Sequence, residues 1–100
     1  MGKYKIAILG GGNIGTSLAK GLIASLQYNY NEILVTEKRE SRAGQLKNLG
    51  FHVTDNNRKA VKEARIIVMS VKPQQFLDLA KEIKDDVTGE HTVISTITGV

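Results

Sequence analysis

Six residues near the start have the types and spacing to hold an anion. Gly10-Gly11-Gly12-Asn13-Ile14-Gly15 fits the pattern G-x-G-x-x-G. Each glycine has a separate chemical reason. Gly10 allows a tight turn. Gly12 lets the backbone approach a pyrophosphate with no Cβ in the way, and Gly15 lets a helix pack close to the preceding strand. A helix starting here adds unpaired N–H groups and a partial positive charge. The context strengthens the pattern, because a strand-like run precedes it and helical spacing follows. The plain alternative is a glycine-rich turn that binds nothing. A Walker-type phosphate loop is excluded, since no G-K-[ST] follows at the required spacing.

A second group lies near the offset of about 20 residues where such sites meet an adenine ribose. Glu37 there would accept hydrogen bonds from ribose hydroxyls, which favours NAD. Lys38, Arg39 and Arg42 follow at once and favour the 2′-phosphate of NADP. The cations outnumber the carboxylate, so the expected cofactor is NADP, with NAD possible. A charged, solvated loop is the bland reading of any one of these residues.

Two further segments carry weaker signals. Ser70-Val71-Lys72-Pro73-Gln74 ends an apolar run. Val71 and Pro73 could flank a cofactor ring or ribose, and Lys72 could supply charge. Ser95-Thr96-Ile97-Thr98-Gly99 ends the last apolar run, and its small hydroxyl residues suit close approach by a nicotinamide. His52 and His91 have no metal-ligating partner at motif spacing and read as structural or surface residues. Ser17 and Ser25 lack the G-x-S-x-G context of a nucleophile.

The elements that must position these residues alternate. Tyr4–Leu9 reads as a strand buried on both faces. Ile14, Leu18, Leu22 and Leu26 recur at helical spacing, with Asn13 as the expected cap. Tyr28–Asn31 is turn-like and Ile33–Thr36 is a second strand. Ser41 is the expected cap of a helix with Ala43, Leu46 and Leu49 on one face, and Gly50 ends it. Phe51–Thr54 is a short strand. Asn56 or Asn57 caps a helix with Ala60, Val61 and Ala64 inward. Ile66–Val71 is a nearly uninterrupted apolar strand. Pro73 opens a helix whose expected buried stripe is Phe76, Leu77, Ala80 and Ile83. Gly89 marks a turn and Thr92–Ile97 is a fifth strand. This order predicts an α/β fold, a Rossmann-like doubly wound parallel sheet of five strands in the order 3-2-1-4-5.

Composition bounds the rest. One hundred residues make one domain, 41% hydrophobic and 24% charged. There are no cysteines, which excludes a disulfide scaffold and a cysteine zinc site. No apolar run reaches the ~20 residues of a membrane span. No secretory leader is recognisable, so a cytoplasmic location is expected, with no membrane partner. The net charge is +4, but the basic residues are dispersed among acids. No nucleic-acid partner is therefore expected. The chain stops soon after its last strand, which reads as a cut between domains.

Four segments together resemble the N-terminal NAD(P)-binding domain of the pyrroline-5-carboxylate reductase family. They are Ile6–Leu9 with the glycine motif, Ala19-Lys20-Gly21-Leu22, Val71-Lys72-Pro73-Gln74, and Ser95 through Val100. The glycine motif is widespread; its combination with V-K-P-Q is far more specific. The resemblance implies reduction of 1-pyrroline-5-carboxylate to L-proline with hydride from NADPH or NADH. It places Gly10 through Ile14 at the pyrophosphate, and Glu37 and Lys38 at the adenine ribose. Asn57 matches a cofactor-contacting asparagine. Ser70, Val71, Lys72 and Pro73 would lie at the ribose and nicotinamide side, and Thr96, Ile97 and Thr98 near the nicotinamide. The family commonly has small residues where Ile97 and Thr98 stand, so that floor differs here. It also implies a further C-terminal helical domain that makes a homodimer or higher oligomer and holds the imino-acid substrate. Residues 1–100 are then the dinucleotide-binding domain, inactive alone. No proton donor or metal ligand is assigned. Competing readings are a deazaflavin-dependent NADP reductase, a β-hydroxyacid dehydrogenase type and a non-catalytic NAD(P)-binding module.

Overall fold

The computed structural model describes residues 3–96. The strands are β1 (Tyr4–Leu9), β2 (Ile33–Thr36), β3 (His52–Thr54), β4 (Ala64–Met69) and β5 (Thr92–Ser95). The helices are α1 (Asn13–Ala24), α2 (Glu40–Asn48), α3 (Asn57–Glu63) and α4 (Pro73–Ile83). The sheet order is β3-β2-β1-β4-β5, the expected one. All four pairings are parallel, and β1 aligns Ile6 with Ile33 on one side and Ile66 on the other.

Parallel pairing demands crossovers, and the crossovers cover both faces. The two-residue period of β1 divides its side chains accordingly. Ile6 and Ile8 join Ala19, Ile33, Val35, Leu46 and Phe51 in a core under α1 and α2. Ala7 and Leu9 join Val61, Ile67, Met69, Leu79 and Ile83 in a second core under α3 and α4. Ala7, Ile8 and Leu9 are fully buried, as a central strand requires.

Helix ends follow local chemistry. Asn56 caps α3 by accepting from the Lys59 N–H at 3.0 Å, and Pro73 stands at the first position of α4. Gly50 ends α2 at φ +110°, where the left-handed backbone favours glycine. The Gly50 N–H reaches Lys47 O and the Phe51 N–H reaches Leu46 O, which together satisfy the end of the helix.

Several expectations need correction. Gly12, in extended geometry, is the cap residue of α1, and Asn13 is its first helical residue. Arg39, not Ser41, precedes α2. Leu26 lies beyond α1 at φ +63° and is 91% exposed. Spacing of four drifts by about 40° per step on a 3.6-residue turn, so Ile14, Leu18, Leu22 and Leu26 leave a single face. The face α1 buries is Gly15 and Ala19, flanked by Leu18, Leu22 and Ile23. On α4 the buried stripe is Phe76, Leu79, Ala80 and Ile83, while Leu77 points away and is 67% exposed. Leu49 is likewise exposed. Ala64 starts β4 instead of closing α3, and the strand ends at Met69, before Val71. Phe51 is buried but precedes β3. β5 is exposed along its described length.

Candidate dinucleotide site

The carboxyl ends of β1, β2 and β4 open onto one groove of about 790 Å³. Parallel strands put their loops on this edge, and β1 and β4 diverge there into helices on opposite faces. The three motif glycines take up different tasks. Gly10 has φ +105°, and a Cβ on it would run into the Ser70 carbonyl. Its N–H donates to Thr36 Oγ1 at 3.1 Å, tying the turn to the end of β2. A Cβ on Gly15 would run into the Gly10 carbonyl, so α1 can lie against β1 only with glycine there. Over Gly12, by contrast, the nearest atom to a Cβ is Arg39 Nη2 at 3.9 Å. The fold itself leaves that space open.

α1 has no side-chain cap and no acidic residue in its first turn. Its first N–H groups therefore face the groove with no competing side-chain acceptor. Thr16 Oγ1 donates back to Gly11 O at 3.1 Å and fixes the loop. Asn13 and Ile14 line the groove, and Asn13 Oδ1 accepts from Arg42 Nη2 at 3.1 Å.

Glu37 follows β2 directly. Its Oε2 accepts from the Arg39 backbone N–H at 2.8 Å and from Nε at 3.1 Å, and its Oε1 accepts from Nη2 at 3.1 Å. Burial pushes the Glu37 carboxyl upward, but the Arg39 guanidinium and the N–H groups of Arg39 and Lys38 more than offset this. The carboxyl is held below its ordinary value. Lys38 is exposed on the groove wall.

A depressed carboxyl is a stability statement. The pair's contribution is fully present above the unfolded value of 4.5 and is lost as pH falls through the lower folded value. Glu32 and Asp86 are also held down, by Lys5 and Arg58 respectively. Melting temperature should therefore fall between about pH 6 and about pH 3. Glu37→Gln should flatten part of that slope, read by calorimetry at each pH. An unchanged slope would mean the pair contributes nothing.

Ser70, Val71, Lys72 and Pro73 line the opposite wall. Ser70 is 8% exposed, and its Oγ is buried with no hydrogen-bond partner among the described residues. A buried hydroxyl without a partner carries a cost that a bound ligand can relieve. Together with the open space at Gly12, it fits a phosphate-bearing cofactor. Asn57, at the start of α3, lines the groove and donates from Nδ2 to Glu82 Oε1 at 3.1 Å.

Of the expected site, Gly15 serves the packing and does not line the groove. Thr96 also lies off it, its N–H and Oγ1 both bonded to Met69 O. Ile97 and Thr98 lie outside the described residues. Residues missed from sequence are Thr36 and a polar row on α4, Gln75, Asp78 and Glu82. Their spacing of three and four puts them on one helix face, a signal the sequence did carry. His52 Nδ1 pairs with the Tyr4 hydroxyl at 2.8 Å, and His91 Nε2 meets Val61 O at 2.8 Å. Both histidines are structural. Among the described residues no group of three or more His, Cys, Asp or Glu side chains is placed to hold a metal. No helix there is long and apolar enough to cross a membrane.

This parallel sheet, with a glycine turn opening a helix at its carboxyl edge, defines a dinucleotide-binding domain of the doubly wound class. A family model described as NADP oxidoreductase, coenzyme F420-dependent, matches residues 5–99, and the chain belongs to that family. Pyrroline-5-carboxylate reductase 1 of Dictyostelium discoideum is 43% identical over 94 residues, covering 94% of this chain and 17% of the relative. A pyrroline-5-carboxylate reductase structure from Coxiella burnetii superposes with a TM-score of 0.86 at 32% identity, covering 97% of this chain and 36% of that one. An imine reductase from Myxococcus stipitatus in complex with NADP+ gives 0.78 at 26% identity, covering 95% and 32%. The resemblance read from the motifs thus extends along nearly the whole chain. The chain spans 17% and 32% of the length of the first two curated relatives.

Proposed function

We propose that this chain is the NADP(H)-binding part of a pyrroline-5-carboxylate reductase, acting in the cytoplasm. The observation that carries the cofactor reading is the open space over Gly12, set between two glycines the fold needs for packing. The substrate rests on the likeness to named reductases. NADP rather than NAD is supported by the cations around Glu37 and by the family description.

Bound NADPH would supply the hydride for the carbon of the C=N bond. The residues of this chain bind and orient. The Gly10–Gly12 backbone and the start of α1 take the pyrophosphate. Glu37, Lys38 and Arg39 stand at the adenine ribose. Asn57 borders the same wall, and Ser70 to Pro73 border the nicotinamide side. Thr96, Ile97 and Thr98 are assigned to the nicotinamide floor on the resemblance alone. The imino-acid pocket and the dimer contacts are assigned to polypeptide outside these 100 residues. The test is the protein at its natural length, incubated with 1-pyrroline-5-carboxylate and NADPH and assayed for proline by amino-acid analysis. Proline formation dependent on NADPH is expected. The family description supports one competing reading. NADPH oxidation that requires coenzyme F420, with no proline formed, would establish it instead.

A further inference from the structure

Asn57 and Glu82 meet across α3 and α4 on the groove wall. Asn57 Nδ2 donates to Glu82 Oε1 at 3.1 Å, the one hydrogen bond either side chain makes among the described residues. An amide side chain has two unlike ends, since Oδ1 accepts and Nδ2 donates, whereas an ionised carboxylate only accepts. Glu82 therefore admits one orientation of the Asn57 amide, with Nδ2 toward itself. Oδ1 is the end left over. It has no partner among the described residues, yet it is not sealed from solvent as Ser70 Oγ is. Asn57 is 9% exposed and lines the groove, so this oxygen opens there.

The fold does not need the pair. Asn56, not Asn57, caps α3. Val61, Leu79 and Ile83 share the core between the two helices, and Arg58 on α3 is tied to Asp86 at 2.7 Å. Glu82 itself is exposed, and Asp78 stands one turn before it on the same wall. Like charges at that spacing destabilise a helix slightly. We propose that Glu82 is a positioning residue, which fixes Asn57 Oδ1 as a hydrogen-bond acceptor for an O–H or N–H group of the bound dinucleotide. The inference rests on the reading of the groove as an NADP(H) site. A carbonyl oxygen backed by a carboxylate repels phosphate oxygens, so its partner is a neutral donor. Two parts of the cofactor have that chemistry, a ribose hydroxyl and the exocyclic amino group of adenine.

Fluorescence titration of the protein at its natural length with NADPH tests this. Glu82→Gln removes a negative charge near a polyanion, so simple electrostatics predicts tighter binding. A positioning role predicts the opposite sign, a loss of about three-fold or more, because glutamine offers both a donor and an acceptor and no longer dictates the amide orientation. In an Asn57→Ala background the same substitution should cost no further affinity. Melting followed by circular dichroism should be unchanged in Glu82→Gln. Undiminished NADPH affinity in Glu82→Gln, an equal loss in the Asn57→Ala background, or affinity that falls only together with melting temperature would overturn the proposal. Should Asn57→Ala fail to fold, the exposed Glu82 still decides the matter. Nicotinamide hypoxanthine dinucleotide phosphate, which carries an oxo group in place of the adenine amino group, identifies the donor. If the amino group is the donor, this analogue binds the wild type more weakly than NADPH does and the difference vanishes in Asn57→Ala. If a hydroxyl is the donor, Asn57→Ala weakens both ligands alike. A wild-type protein that binds no NADPH would instead overturn the reading of the groove.

Discussion

Gly12→Val should leave the fold intact and remove cofactor binding. The two halves of that result have separate causes. No protein atom lies closer than 3.9 Å to a Cβ at this position, and the nearest belongs to the flexible end of Arg39. Gly12 also has φ −72°, which any residue adopts. The folded chain therefore has room for valine. A pyrophosphate against the same backbone has none. The expected loss in NADP(H) affinity is about 100-fold or more, about 2.7 kcal/mol. Circular dichroism and a fluorescence titration with NADPH report the two halves independently. Retained affinity would mean that the phosphates lie elsewhere.

Gly15→Val should give the reverse pattern, a protein that fails to pack. The added Cβ would meet the carbonyl oxygen of Gly10, and the γ-carbons would crowd Ile8 behind it. The Cβ position is fixed by the backbone and the atom it meets is a backbone carbonyl oxygen, so no rotamer change relieves the clash. α1 must move off the sheet or the turn must distort. Overpacking costs typically about 1–3 kcal/mol and more where nothing yields, so about 3 kcal/mol or more is expected. For a chain this size that lowers the melting temperature by roughly 12–24 °C. A melting temperature within a few degrees of wild type would refute the tight contact. Two glycines of one motif, three positions apart, are thus expected to give opposite signatures, loss of cofactor binding for one and loss of packing for the other.

That distinction was legible in the sequence. The motif located both glycines and assigned them these roles, since strand and helix on either side fix what each must do. The strand order was legible too, because apolar runs separated by helical segments leave few parallel arrangements. The faces of α1 and α4 were less so. Apolar residues are common enough that Leu26 and Leu77 extend a stripe on paper while pointing into solvent. Only the helix's actual start and stop decide which side is covered. The partners of Glu37 were not legible at all. The sequence places an acid and three cations close together but not the bidentate pairing of Glu37 with Arg39. Asn57 was placed by resemblance, and its bond to Glu82 depends on how α3 meets α4. The polar row Gln75, Asp78 and Glu82 was visible at helical spacing but is ordinary for a solvated helix, and the cleft beside it exists only once β1 and β4 are paired.

The strand order also sets a timetable for synthesis. β1 is the first strand made, yet it is the middle of the sheet, flanked by β2 and β4. Its second edge stays without its partner until Met69 has left the ribosome. At about 5–20 residues per second the sixty residues after Leu9 take roughly 3–12 s. Throughout that interval the apolar segment Ile6–Leu9 has at most one neighbouring strand. The glycine turn that follows it cannot close against Ser70 until the same moment. The groove at the carboxyl edge is therefore among the last features to form, and a chain stalled before β4 would expose its central strand to whatever chaperone or nascent neighbour is at hand.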